Sequence, residues 1–474
     1  MLRYLPTITD PLATRLFAIL SACLCACIIV CAWLSWSIPY GAPLDQTPWR
    51  LFVTFLIVAG FMFWGLVWII RKLKPKRHVL LTLFLVGLVM RGVMFLSAPV
   101  MEDDWYRYLW DGATVSAGID PYKYPPAKAA PTDLFGNPVQ TPPEQDLEHL
   151  QELAQEHHQT FTRINYPYVA TIYPPVAQGA FALSHTLSPF SLTGWRSVLL
   201  IFDIGAFACL LLVLRGFKKP IIWSGIYWLN PIVIQQVFGS AHMDGMLSVF
   251  ILLSLLCAIQ KRPAIAGVAL AGAVGVKIWP ILLFPALAAT FKSRFRDFAV
   301  ISLAFGGLCA LLLAPQAMRA LSPQDGLTAY SSQWQTHSFL FSAIAELVSQ
   351  LTSDPGQVSR FLVASIISLI GMLCAWKVWQ KGMNTLPLAW MVIVGTLLFF
   401  SPTGYPWYLV WIAPLLALAY NRGLLLLVAT APLYFLRFYL GDENPVHQWI
   451  IVPIAFAPAF ALFALDAGKD WRRV

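Results

Sequence analysis

The run Met101-Glu102-Asp103-Asp104-Trp105-Tyr106-Arg107-Tyr108-Leu109-Trp110-Asp111-Gly112 starts a few residues after a long apolar stretch ends, which sets adjacent carboxylates at a water–lipid boundary. Two like charges that close, partly desolvated, push the pKa of at least one upward. A carboxylate so tuned serves as general base toward a hydroxyl. Solvated acids in an interfacial turn, belted by tryptophan and tyrosine, fit the same residues. A second group, Arg163-Ile164-Asn165-Tyr166-Pro167-Tyr168 followed by Thr171-Ile172-Tyr173-Pro174-Pro175, reads as a rigid aromatic return toward the membrane carrying one guanidinium. Arg163 could grip a phosphate through paired hydrogen bonds or pair with the acids of its own loop.

Lys277 stands deep in an apolar run, where an ammonium is costly and faces a cavity or a partner. It is either a ligand for a lipid phosphate or the structural partner of Asp244, Asp203 or another buried acid. Arg91 invites the same two readings, and the structural pair is the better fit there. His242 and Asp244 occupy a turn opening a helix, where an acid also favours the helix N-terminus. His149, Glu152, Glu156, His157 and His158 have spacings compatible with a metal, yet exposed helix faces rich in these types are common, and no metal is expected. Cys23, Cys27 and Cys31 share a helix face. All eight cysteines lie in apolar runs, so no disulfide framework follows, and buried cysteine is ordinary packing material. There is no Gly-rich nucleotide loop and no arguable Ser–His–Asp set.

The elements that must position these groups are membrane helices. Of 474 residues, 58% are apolar and 12% charged, and the mean hydropathy is +0.67. Runs such as Leu16–Trp36, Leu51–Ile70, Val79–Ala98 and Phe298–Ala314 approach the roughly 20 residues a spanning helix needs, and helix is the one form such runs can take in lipid. The formal charge of +9 is unevenly spread: from Glu102 to Arg163 eleven acids face four bases, a net −7, leaving +16 elsewhere. That excess sits in short clusters (Arg71–Arg77, Arg215–Lys219, Lys261-Arg262, Lys292–Arg296, Lys377–Lys381, Lys469–Arg473), the pattern of cytoplasmic loops rather than of a nucleic-acid surface. Nearly every polar oddity then falls on the other side.

The expected fold is an all-α polytopic bundle of about 12–14 crossings. Residues 1–98 form N-terminal membrane helices, 99–175 a large outer loop, and 176–474 the remaining bundle with short outer loops. Two places strain the threading. Ala264–Phe291 has cytoplasmic ends and Lys277 and Pro280 in its middle, which two half-helices meeting near Lys277 would satisfy. Counting Val176–Leu187 as a crossing would put Arg215–Lys219 on the wrong side. Within the loop, Thr141-Pro142-Pro143-Glu144 reads as a capping box. It would open a helix to about Gln159 with Leu147, Leu150 and Leu153 on one stripe, lying along the membrane or on the protein's outer face.

The Asp103–Gly112 run with Gly118-Ile119-Asp120-Pro121-Tyr122 resembles the first outer loop of bacterial mannosyltransferase-like proteins of the GT-C superfamily. The likeness continues through Asn165…Pro167, Thr171–Pro175…Gln178, His242…Asp244, Val276–Pro280 and Ser401-Pro402…Tyr405-Pro406-Trp407-Tyr408, in the same order. That resemblance implies a GT-C-like bundle whose first outer loop carries a catalytic acid and juxtamembrane helices. It also implies transfer of a sugar from a polyprenyl-phosphate donor to a glycan, lipid or protein acceptor, usually with inversion and often without a metal. Asp103 would be the general base, with Asp104 beside it. Lys277 and Arg163 would hold the lipid phosphate, Arg107 would orient the acids, and Trp105, Tyr106, Tyr173 and Trp407 would offer faces to sugar rings. His242, Asp244 and His337 complete the expected site. The location implied is a bacterial inner membrane with the site facing the periplasm. Thr336-His337-Ser338 stands where the family has Asn-Gly-Ser, and His242-Met243-Asp244 replaces a pattern with Asn; the sugar and acceptor stay open. A flippase for a lipid-linked sugar would share the cavity and Lys277 without needing the acid pair.

Overall fold

The computed structural model describes residues 10–130, 144–319, 326–441 and 444–473. Within them the regular elements are all helical, apart from one isolated bridge between Thr336 and Thr403. Nine of the described helices are long and apolar enough to cross a membrane, and four shorter apolar helices pack among them. Helices Phe295–Ala317 and Pro355–Lys381 turn large apolar side chains outward, Leu303 at 76% and Phe361 at 72% exposure. Water would not support such surfaces; lipid does. The chain is an integral, polytopic all-α membrane protein.

Three helices lead to the acid run: α1 (Asp10–Ser35), α2 (Trp49–Ile70) and α3 (Arg77–Phe95). The exit from α3 is fixed by Arg196 on helix Leu192–Gly216, which donates to the carbonyls of Phe95 (2.8 Å) and Ser97 (2.7 Å) and to Gly239 O (2.7 Å). A guanidinium spent on terminal helix carbonyls satisfies groups that the helix leaves unpaired. It holds the chain in place just before Glu102.

Arg91 meets Asp203 at 2.5 Å with both side chains 1% exposed, and also donates to Trp228 O at 2.6 Å. Tyr227 donates to the same carboxylate. The expected structural pair is thus present, tying α3 to helix Leu192–Gly216. Arg91→Met strands Asp203 without its cation and should destabilise the fold by roughly 3–5 kcal/mol. Thermal unfolding in detergent measures this, and an unchanged Tm would rule out a structural role for the pair.

Helix Pro263–Val276 stops at Lys277, whose backbone is extended (φ −155°, ψ 140°), and the chain resumes as Trp279–Leu283 and Phe284–Ala289. The two half-helices therefore meet at the lysine. Helix Pro175–Leu187 has only 13 residues, short of a crossing at 1.5 Å per residue, which removes the threading conflict. It packs closely on α4 (Asp104–Ser116): a Cβ on Gly112 would lie 2.4 Å from Phe181 O.

Helix α5 (Gln145–Glu156) forms in the outer loop, while Thr141–Pro143 lie outside the described residues. Leu147 and Leu150 are buried and Leu153 half-buried. They pack with Tyr106, Trp110, Ile119 and Ile164, so the stripe covers α4 and belongs to the protein's own face.

Candidate active site

A cavity of about 710 Å³ lies where five segments converge: the acid run, the return segment 165–174, the break at Lys277, and the stretches 401–411 and 434–438. Glu102, Asp103 and Asp104 line it together with Tyr173, Asp244, Lys277 and Trp407. Ile278, Trp279 and Leu397 give it an apolar wall beside the lysine.

Asp103 precedes α4 and Asp104 begins it. One amide holds both: Asn165 Nδ2 donates to Asp103 Oδ1 at 2.9 Å and to Asp104 Oδ1 at 2.6 Å. Burial, reinforced by the charge of Asp103, pushes Asp104 up to about 6 against the opposing pull of Asn165. Burial also raises Asp103, again opposed by Asn165. The carboxylates are so close that they titrate as a pair. A base must be deprotonated to act, so activity should fall as pH drops through about 6. Asn165→Ala removes the hydrogen bonds that favour the charged forms and should move that limb to higher pH. A pH–rate profile of both proteins checks this, and a limb that stays in place would mean Asn165 does not tune the pair.

Behind the acids lies a buried layer. His242 Nε2 is 3.2 Å from Glu102 Oε2, and its Nδ1 is 3.5 Å from Tyr108 Oη and 3.6 Å from Asp104 Oδ2. Lys277 Nζ donates to Asp244 Oδ1 at 2.8 Å, and Trp411 Nε1 donates to the same oxygen at 2.5 Å. Lys277 keeps 21% of its side chain exposed while Asp244 keeps 1%. Both sequence readings of Lys277 thus have a counterpart: it has a structural partner, and it also faces the cavity.

Several expected placements need correction. Arg107 lines the cavity but is committed to Asp111 (2.8 Å) and Val169 O (3.1 Å), so it does not orient the acid pair; Asn165 does. Arg163 stands outside the lining, donating to Tyr106 Oη at 2.6 Å and resting on the Tyr40 ring at 4.8 Å. His337 is buried behind the wall, 2.8 Å from His447 Nε2, in a segment where Thr336 pairs with the Pro402–Gly404 loop. Trp105 and Tyr106 stack on each other and pack toward the α5 cluster rather than the cavity. Trp407 reaches the cavity, but His242 (3.9 Å) and Tyr405 (4.2 Å) both lie flat on it, leaving an edge rather than a face for a sugar. Among the described residues no three of His, Cys, Asp and Glu are grouped to hold a metal.

Asn165, Glu102 and Arg437 also line the cavity, and the sequence alone assigned them no role. Arg437 lies in the apolar stretch Pro432–Leu440 and donates to Thr336 Oγ1 (3.0 Å) and Tyr434 Oη (2.8 Å). A charge in an apolar run was the available signal, the same one that marked Lys277.

Residues 171–402 match the model of glycosyltransferase family 87. The match covers just under half of the chain and, with the fold described above, supports a membrane glycosyltransferase of the GT-C-like class. No curated protein matches it. The matched part of the chain contains Tyr173, His242, Asp244, Lys277 and His337, and ends at Pro402. The acid run, Asn165, Trp407 and Arg437 lie outside it, and the cavity joins both sets into one site.

Proposed function

We propose that the glycosyltransferase takes its sugar from a polyprenyl-phosphate donor and passes it, with inversion, to a hydroxyl of a glycan, lipid or protein acceptor. Asp103 takes the hydroxyl proton as that oxygen attacks the anomeric carbon, and the bond to the phosphate oxygen breaks. The observation that supports this most directly is that paired, partly desolvated carboxylates and an intramembrane ammonium line one cavity. Phosphate is already a good leaving group, so the protein's task is positioning and neutralising charge. Lys277 supplies positive charge at the break, and the neighbouring wall of Ile278, Trp279 and Leu397 suits an isoprenoid chain. This reading calls for no metal ion. The site would open on the side of the acidic loop, the periplasmic face of a bacterial inner membrane.

The test is transfer of labelled sugar from a panel of synthetic polyprenyl-phosphate hexoses and pentoses by purified protein in lipid, with NMR of the product's anomeric configuration. Inverted product supports the proposal. Donor that is bound and moved between leaflets, with no transfer or hydrolysis, would overturn it in favour of transport.

A further inference from the structure

Glu102 precedes the two aspartates and differs from them in burial. Its side chain is 5% exposed, and its Oε1 has no hydrogen-bond partner among the described residues. Its Oε2 meets His242 Nε2 at 3.2 Å, and the imidazole is fully buried, pinned flat against Trp407. An imidazole has two nitrogens, and when neutral only one carries hydrogen; the partner of one nitrogen decides the role of the other. Nδ1 looks toward Asp104 Oδ2 (3.6 Å) and Tyr108 Oη (3.5 Å). These distances are long for hydrogen bonds, but bonds of this kind tighten when a substrate closes the site.

The charge around this line is unbalanced. Asp103 and Asp104 face Glu102 from its own segment, Arg437 faces it from the 434–438 stretch, and Lys277 faces His242. Burial and both aspartates disfavour ionisation of Glu102, with Arg437 opposing. A neutral carboxyl at 102 donates to Nε2 and leaves hydrogen on Nδ1, pointed at the Asp104 carboxylate. An ionised one would demand hydrogen on Nε2 and turn a lone pair toward Asp104, repelling it.

We propose that Glu102 is a positioning residue that acts through His242: by donating to Nε2 it fixes hydrogen on Nδ1, and so holds Asp104 ionised beside Asp103. An ionised neighbour in turn makes Asp103 a stronger base. The effect on catalysis rests on the acid-pair reading above, whereas the hydrogen placement stands independently of it.

The first measurement needs no substrate. In full-length protein labelled with ¹⁵N-histidine and embedded in lipid, the His242 resonance, assigned with His242→Gln, should report a neutral ring with hydrogen on Nδ1 at pH 7. Free neutral histidine favours hydrogen on Nε2, so packing alone has no reason to give this result. Glu102→Gln keeps a donor and should preserve it; Glu102→Ala should lose it. Hydrogen on Nε2 in the wild type, or a Glu102→Ala spectrum unchanged from it, overturns the proposal. The second measurement is the pH–rate profile of transfer. Glu102→Ala should raise the acidic limb by about one pH unit, with Glu102→Gln restoring it and no further shift when Glu102→Ala is combined with His242→Gln. A wild type with the Nδ1 hydrogen but no transfer from any polyprenyl-phosphate donor sinks the donor reading and leaves the histidine assignment standing. Transfer with a limb that Glu102→Ala does not move sinks the positioning role alone.

Discussion

Asp103→Asn should lower sugar transfer about a thousand-fold, within the 10²–10⁴ range of a lost general base, while donor binding stays near the wild-type level. Asparagine keeps the size of the side chain and its contact with Asn165 but cannot take the hydroxyl proton. With Asp103 as the proposed base, Asp104→Asn should be less severe, because it removes a charge beside that base. Donor consumption by the two variants, with binding measured separately, distinguishes them; a dead Asp104→Asn with an active Asp103→Asn would exchange their roles. Stability gives an independent check. Burial and the charge of Asp103 push the Asp104 carboxyl up to about 6, above the ordinary aspartate range. The folded state therefore loses stability relative to the unfolded chain as pH rises through that window. At pH 7.5 Asp104→Asn should raise Tm while slowing transfer. A lower Tm would show that the carboxylate is a structural anchor and not a strained functional group.

The second large effect concerns Lys277. Lys277→Met leaves Asp244 buried without its cation, still accepting from Trp411 Nε1, and should destabilise the protein by roughly 3–5 kcal/mol. Loss of activity in that variant would therefore say nothing by itself. In the double variant Lys277→Met with Asp244→Asn the stranded charge is gone, and stability should recover most of the difference. Under the proposed donor reading, donor affinity should not recover, because the ammonium assigned to the phosphate is still missing. Thermal unfolding and binding of a polyprenyl-phosphate sugar separate the two roles. Recovery of both would show that Lys277 serves Asp244 and does not hold the donor.

Much of the architecture was legible in the order of residues because the bilayer restricts what apolar runs can do. Runs near the spanning length without internal charges have one form open to them. The break at Lys277 could be read for the same reason: a charge and a proline inside an apolar run cannot continue an ordinary lipid-facing helix. The pairing of Arg91 followed from the cost of an unpaired guanidinium at that depth. The short helix Pro175–Leu187 was recognisable as a misfit in the threading before its length was known.

The site was legible as a set of residues and not as an arrangement. Asp103, Asp104, Tyr173, Asp244, Lys277 and Trp407 do line one cavity, and their types and sidedness were in the sequence. What each side chain has left to offer was decided by tertiary contacts. Arg107 is one helical turn from Asp111 and is committed to it. Arg163 is drawn to the Tyr40 and Tyr106 rings, and His337 to a histidine 110 positions later in the chain. Trp407 is an aromatic at the cavity whose faces are already covered. The chain by itself thus determined that this is a polytopic helical membrane protein with acids at one boundary and a cation within it, because desolvation cost depends on residue type and run length. Only the fold decided that Asn165, 61 positions from Asp104, grips both acids and that Glu102 meets His242 across 140 positions. Hydrogen bonds act over about 3 Å, and the sequence does not say which distant residues the packing of helices will bring within that reach.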